Sequence, residues 1–208
     1  MSATIIADVL EPLVEYFEKL PDVANQAMAY AINDSATRVG LKRSRDIIAD
    51  QFNLSKAYLS DPSRLGLTKK ATKTDLEATI TARARATSLA RYAVGDMTPG
   101  LKRPKGVMVE VKSGNSKIIR KAFPIRLKRG ASLTEDNYNL GLAIRLKPGE
   151  RIINKNQMSA SEVGHGIYLL YGPSVDQIFR SVADDVTPEV VSSTTSEFLR
   201  QLARLIDG

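Results

Sequence analysis

The chain has 208 residues, 43% hydrophobic and 25% charged, with a formal net charge of +7, one histidine and no cysteine. That length and apolar content suffice for a sizeable core in one domain or two small ones, while the missing cysteines exclude disulfides, thiolate metal sites and a cysteine nucleophile. No apolar run approaches the roughly 20 residues that cross a bilayer, and the opening residues lack the basic start and apolar stretch of a secretory signal; the expectation is no membrane partner and a chain that stays in the reducing cytoplasm where it is made.

In chain order, Ile5, Ile6, Val9, Leu10, Leu13, Val14 and Phe17 recur every three or four residues, which predicts an amphipathic helix with Pro12 as a break or kink. Leu20-Pro21-Asp22 predicts a stop and a fresh start, with Asp22 as cap. Val23 to about Phe52 is alanine-rich and nearly free of breakers, with Ala27, Tyr30, Ala31, Ser35, Val39, Ile47, Ile48 and Phe52 on a broad apolar face; it predicts the longest helix. Its second half carries Arg38, Lys42, Arg43 and Arg45, and spacing places 38, 42 and 45 on one side as a basic stripe. The same residues read equally well as a solvated face paired with Asp34, Asp46 and Asp50.

Asn53 to Asp61 predicts a turn into a short helix. Residues 65–71 and 76–82 alternate with period two around a Thr-Lys-Thr-Asp bend, which predicts a hairpin. Thr87 to Ala93 is expected to make one helical turn, and Met97 to Lys105 a loop, with Lys102, Arg103 and Lys105 as a basic finger. Gly106 to Lys112 and Ile118 to Leu127 predict strands joined at Ser113-Gly114-Asn115-Ser116, and Tyr138 to Leu146 another strand. Lys128 to Asn137 and Lys147 to Gly164 read as connections. Ile167 to Tyr171 predicts a buried strand, Gly172-Pro173-Ser174 a corner, and Thr187-Pro188 the cap and first turn of a separate last helix. The order of helices, strands and helices predicts an α+β fold: an antiparallel sheet covered by a long N-terminal helix and C-terminal helices. We expect a single domain over 1–208, helical over 1–62, mainly β with loops over 63–171, and helical over 172–208.

Charge is split along the chain. Arg38 to Arg129 holds 22 Lys/Arg against 7 Asp/Glu, a balance of +15, and the remainder 8 against 16, a balance of −8. Three readings stand: a basic surface facing a polyanion such as DNA, complementary faces on neighbouring copies, and a solvated surface that happens to be basic. With aromatics at 6% and no tryptophan, base stacking is disfavoured, and any DNA contact is expected to be with the backbone alone.

The inventory for catalysis is thin. His165, between two glycines in an expected loop, cannot by itself build a His-paired serine or a multi-histidine metal site. No phosphate-binding glycine loop, dinucleotide fingerprint or calcium loop is present. Glu135-Asp136 and Asp184-Asp185 are adjacent pairs whose side chains point apart. The expectation is no enzyme, no cofactor and no metal.

Arg120-Lys121-Ala122-Phe123-Pro124-Ile125 after a Gly-Val strand, and Leu170-Tyr171-Gly172-Pro173-Ser174-Val175 before terminal helices, resemble the minor tail protein Z (tail-completion) family of long-tailed bacteriophages. The layout agrees over most of the chain, through the Asn-Leu-Ser turn and the Leu-Glu-Ala-Thr-Ile strand, and departs between Lys128 and Gly164. Ala122 and Phe123 are the family-like strand; Gly172, Pro173 and Ser174 are the family-like corner. The resemblance implies a structural virion protein, made in the host cytoplasm, that completes the head-proximal end of the tail or the neck. It further implies a ring of copies, hexameric by resemblance, around the DNA channel, with tail-terminator, tail-tube or head-completion proteins as neighbours. Arg38, Lys42, Arg43, Arg45, Lys102, Arg103 and Lys105 are then candidates for a DNA-channel or inter-subunit surface. The alternative is a free, sequence-independent DNA-binding protein acting through the same cations.

Overall fold

The structure, a computed structural model, describes residues 3–6, 21–101, 103–127, 139–150 and 159–207. It is α+β, and the backbone falls into two units. Met1–Ile48, Ser55–Arg83 and Val175–Gly208 make the first, and Ala49–Leu54 with Ala84–Ser174 the second.

The first unit holds β1 (Ala3–Ile6), α1 (Pro21–Ser35), a π-helical stretch (Ala36–Leu41), most of α2 (Lys42–Gln51), α3 (Lys56–Leu59), β2 (Leu65–Lys69), β3 (Glu77–Ala82) and α4 (Val175–Asp207). β3 lies between β1 and β2 in an antiparallel sheet. The expected helix at the start is corrected in part, because Ile5 and Ile6 pair with Ala78 and Glu77 as strand, a conformation that β-branched residues favour; Val9 to Phe17 lie outside the described residues. Pro21 stands in the first turn of α1, where its missing N–H is no loss. Asp22 is therefore inside the helix rather than its cap, with its charge at the positive end of the macrodipole.

Small side chains let α1 pack closely on α4. Ala24, Ala27, Met28, Ala31, Ile32 and Ala36 form one core with Phe198 and Leu202, closed by Ala71 and Ala78 of the hairpin segment. Within this interface the Ser35 and Ser193 hydroxyls meet at 3.0 Å. The hairpin over 65–82 is as expected. Thr72 and Asp75 exchange backbone hydrogen bonds across its tip, and Asn33 clamps Ala71 by accepting from its N–H at 2.8 Å and donating to its carbonyl at 2.9 Å.

Two expectations about helices are overturned. The segment from residue 21 to 51 is not one α-helix, since Ala36–Leu41 widens to π geometry, and Ser44 Oγ donates to the buried Gly40 carbonyl at 2.6 Å. Nor is it the longest helix: α4 runs 33 residues straight through Pro188. Proline there removes one backbone bond, while the hydroxyls of Thr187, Thr194, Thr195 and Ser196 each donate to the carbonyl four residues back, an arrangement that keeps such residues satisfied inside a helix. Thr187-Pro188 is thus an interior feature and not a fresh start. Val182, Val186, Val190, Thr194, Phe198 and Leu202 are buried at every fourth residue. At about 100° per residue each step overshoots a full turn by about 40°, so the buried stripe winds around α4, and the sequence reads as two short stripes.

The second unit holds β4 (Ala86–Ser88), a 3-10 turn (Leu89–Tyr92), β5 (Val107–Glu110), β6 (Ser116–Ile119), β7 (Ala122–Leu127), β8 (Asn139–Arg145), β9 (Ser159–Gly164) and β10 (Ile167–Ser174). β5 and β6 form their own two-stranded sheet; β7 pairs β8, and β10 pairs β8, β9 and β4 in a second, antiparallel one. The expected strand from Ile118 to Leu127 is therefore two strands. They are parted at Arg120-Lys121, where Lys121 takes the left-handed φ of 61° and the chain leaves one sheet for the other. The expected turn over 87–93 shortens to 89–92, because Thr87 and Ser88 pair with β10. The expected connection before Gly164 contains β9, a polar strand held by the edge of β10 and joined to it by a tight Gly164-His165-Gly166 turn with His165 at φ 53°. Among the described residues no helix is long and apolar enough to cross a membrane.

Candidate functional site

The division into units redistributes the charge. The second unit carries 16 Lys/Arg against 7 Asp/Glu, or +9, and the first 14 against 16, or −2. The candidate cations fall on both. In the first unit Arg38 leaves the π-helical stretch and Lys42 opens α2, and both are exposed. Arg43 is exposed and pairs with Glu189 of α4 at 3.2 Å, a surface pair of small energetic weight. Asp46, one turn on, accepts from Lys56 at 2.5 Å. That bond, with the fields of Lys42 and Arg43, holds its carboxyl below the usual range.

Arg45 is not brought to this face. Its Nε donates to the Leu59 carbonyl at 3.1 Å and its Nη2 to the Leu65 carbonyl at 2.9 Å, so the guanidinium ties α2 to the end of α3 and the start of β2. The reason is partly the π stretch, whose wider turns change the phase between Arg38 and everything after it. Equally, α3 ends with carbonyls that its four residues cannot satisfy. Ser55 starts α3 as the Asn-Leu-Ser reading implies, its Oγ accepting from the Tyr58 N–H at 3.2 Å.

In the second unit residues 97–101 and 103–105 are free of helix and strand, and the cations among them differ from one another. Arg103 is tucked in, 19% exposed, with Asp96 at 3.8 Å, and among the described residues its Nε and Nη2 find no hydrogen-bond partner. Asp96 is held below its usual pKa by the Thr98 hydroxyl and N–H, and then by Arg103. Lys105 is exposed. Lys102 lies outside the described residues. Arg85, Lys112, Arg120 and Arg145 are further exposed cations of this unit.

The two family-like segments meet in one sheet. Ala122 pairs with Ile144, Phe123 with Ala143 and Pro124 with Leu142, while Leu170 of β10 pairs with the same Leu142 from the other side. Ala122 is buried and Phe123 half-buried. Gly172-Pro173-Ser174 is not a corner: these residues finish β10, and the helix begins at Val175. Proline cannot donate to a ladder, and the pairing with β4 slips between Gly172 and Ser174. The Pro173 carbonyl instead accepts from the Tyr92 hydroxyl at 3.0 Å. Glycine is needed at 172 for room, since a Cβ there would stand 2.9 Å from Tyr92 Cε2.

Among the described residues no three His, Cys, Asp or Glu side chains gather to hold a metal ion. His165 is a turn residue on the surface. Asp184 and Asp185 are exposed on α4, whereas Glu135-Asp136 lie outside the described residues. No protein-family model, no curated protein and no solved structure matches the chain.

Proposed function

We propose that this chain is a structural component of a virus particle, completing the head-proximal end of a phage tail or its neck. In this reading it works as a ring of copies around the DNA channel and contacts tail-terminator, tail-tube or head-completion proteins. It carries no catalytic centre; its contribution is shape and surface charge. The observation that supports the reading best is that the family-like segments lie in one sheet: Pro124 of β7 and Leu170 of β10 pair with the same residue of β8, Leu142. The +9 balance of the unit that contains them suits a wall facing phosphate or an acidic neighbour. Mass spectrometry of gradient-purified particles tests it. The chain is expected in a fixed small copy number, and its absence from finished particles would end the proposal.

The same charge supports the second reading, a free protein that binds DNA without regard to sequence. Its signature is retardation of any duplex at low salt that fades steeply as salt rises, with Lys105→Glu and Arg120→Glu, exposed on the +9 unit, weakening all sequences alike. No retardation at low salt removes it.

A further inference from the structure

Strand register brings four turns of the second unit together at one end of its sheets. The first closes where the Gly106 N–H donates to the Arg103 carbonyl at 2.9 Å, and it leads into β5, whose Val107 pairs with Ile119 at the end of β6. A Cβ on Gly106 would collide with the Ile119 carbonyl, so this turn lies against the second, Arg120-Lys121, which passes from β6 to β7. Ala122 at the start of β7 pairs with Ile144 near the end of β8. β8 runs on into the third turn, where the Glu150 N–H donates to the Lys147 carbonyl at 2.9 Å. Gly164-His165-Gly166 is the fourth and touches the third, since the Leu146 N–H donates to the Gly166 carbonyl at 2.9 Å and Arg145 pairs with Ile167.

Lys105, Arg120, Lys121, Arg145 and Lys147 are all exposed on these turns or next to them. Glu150 sits among them, accepting from the Lys147 N–H at 3.0 Å and from Lys121 Nζ at 3.2 Å; these bonds, the Lys147 N–H first, hold its carboxyl below the usual range. Asp96 and Arg103, 3.8 Å apart, answer one another. Glu162, two residues before the fourth turn, accepts from the Tyr168 hydroxyl at 3.1 Å. Five cations thus face two carboxylates, Glu150 and Glu162. None of the exposed residues of the four turns is Phe, Tyr, Trp or a large aliphatic; the nearest exposed ones, Ile118 and Val163, stand two residues back on β6 and β9. Protein partners are held by buried aromatic and aliphatic anchors, and single strands by rings on which bases stack. Cations spread over separate turns fit the repeated phosphates of a duplex.

We infer that this end of the second unit is where the chain meets duplex DNA, holding the phosphate backbone through Lys105, Arg120, Lys121, Arg145 and Lys147 without reading sequence. The inference rests on the DNA-binding reading above and names its surface, on turns of the second unit and not on Arg38 and Lys42 of the first.

Fluorescence anisotropy of the full chain on duplexes of unrelated sequence, over a salt series, tests it. Arg145→Gln with Lys147→Gln is expected to weaken binding about tenfold or more at low salt and to flatten the slope of log K against log salt by about two. Arg85→Gln with Lys112→Gln removes the same charge at the far ends of β10 and β5, and is expected to change affinity less than about twofold. Glu150→Gln keeps an oxygen to accept both bonds and loses the charge; it is expected to bind about threefold tighter, a gain that a damaged fold cannot produce. Equal losses from the two double variants, or an unchanged affinity for Glu150→Gln, overturn the assignment and leave the DNA-binding reading in place. Polyglutamate that competes as well as duplex at equal charge overturns it in favour of an acidic protein. No binding of any duplex by the parent chain at low salt removes that reading and this inference with it.

Discussion

Arg45 separates a cation that holds the fold from cations that face outward. Replacing it with methionine keeps most of the apolar stem and removes two hydrogen bonds, to the carbonyls of Leu59 and Leu65. A bond from a charged donor is worth about 1.5–3 kcal/mol. The side chain is half-buried, which argues for the lower end of that range, so two such bonds come to about 3 kcal/mol. At roughly 2–4 °C per kcal/mol for a chain of this size, Arg45→Met should melt about 6–12 °C lower, followed by circular dichroism. Arg38→Met and Lys42→Met, on the open face, should stay within about 0.5 kcal/mol of the parent. If Arg45→Met melts with the other two, the guanidinium is not the tie described, and the basic stripe regains its third member.

Gly172→Ala should cost about 1–3 kcal/mol by forcing a methyl against the Tyr92 ring, seen as a lower urea midpoint; an unchanged midpoint would show that the ring has room to yield. Ser55→Ala removes the cap of α3 and should cost about 1 kcal/mol, with Ser55→Asp recovering most of it; equal stability of all three would remove the cap from the account. The Asp61 carboxyl is drawn down to about 2, first by the Ser63 hydroxyl, then by the Ser63 N–H and Arg64. A lowered folded value stabilises fully above the unfolded pKa of about 3.9 and is lost as pH falls through about 2. Melting temperature should therefore drop between pH 4 and pH 2, less so in Asp61→Asn, and parallel curves for the two proteins would contradict this.

What was legible beforehand was local. Ser55 ahead of Lys56, and alternation on either side of the Thr72–Asp75 bend, announce α3 and the β2–β3 hairpin within a few residues of each other. What was not legible depends on partners distant in the chain. β9 is mostly Ser, Ala and Glu with Val163 its one residue of strong strand preference, and it is held by the edge that β10 offers one tight turn away. Lys121, in a conformation more usual for glycine, breaks a segment whose pattern reads as unbroken. Pro188 and the winding buried stripe disguise one long helix as two. For the candidate surface, the exposure of Arg38, Lys42 and Lys105 followed from the sequence. The diversion of Arg45 did not, because the carbonyls it serves lie 14 and 20 residues away.

A particle reconstruction by cryo-electron microscopy tests the central proposition most directly, by asking whether this chain is built into a virion. Density at the junction of head and tail that accepts both units, repeated around the DNA path, is the result expected. A fully resolved junction with every density assigned to other chains would contradict it.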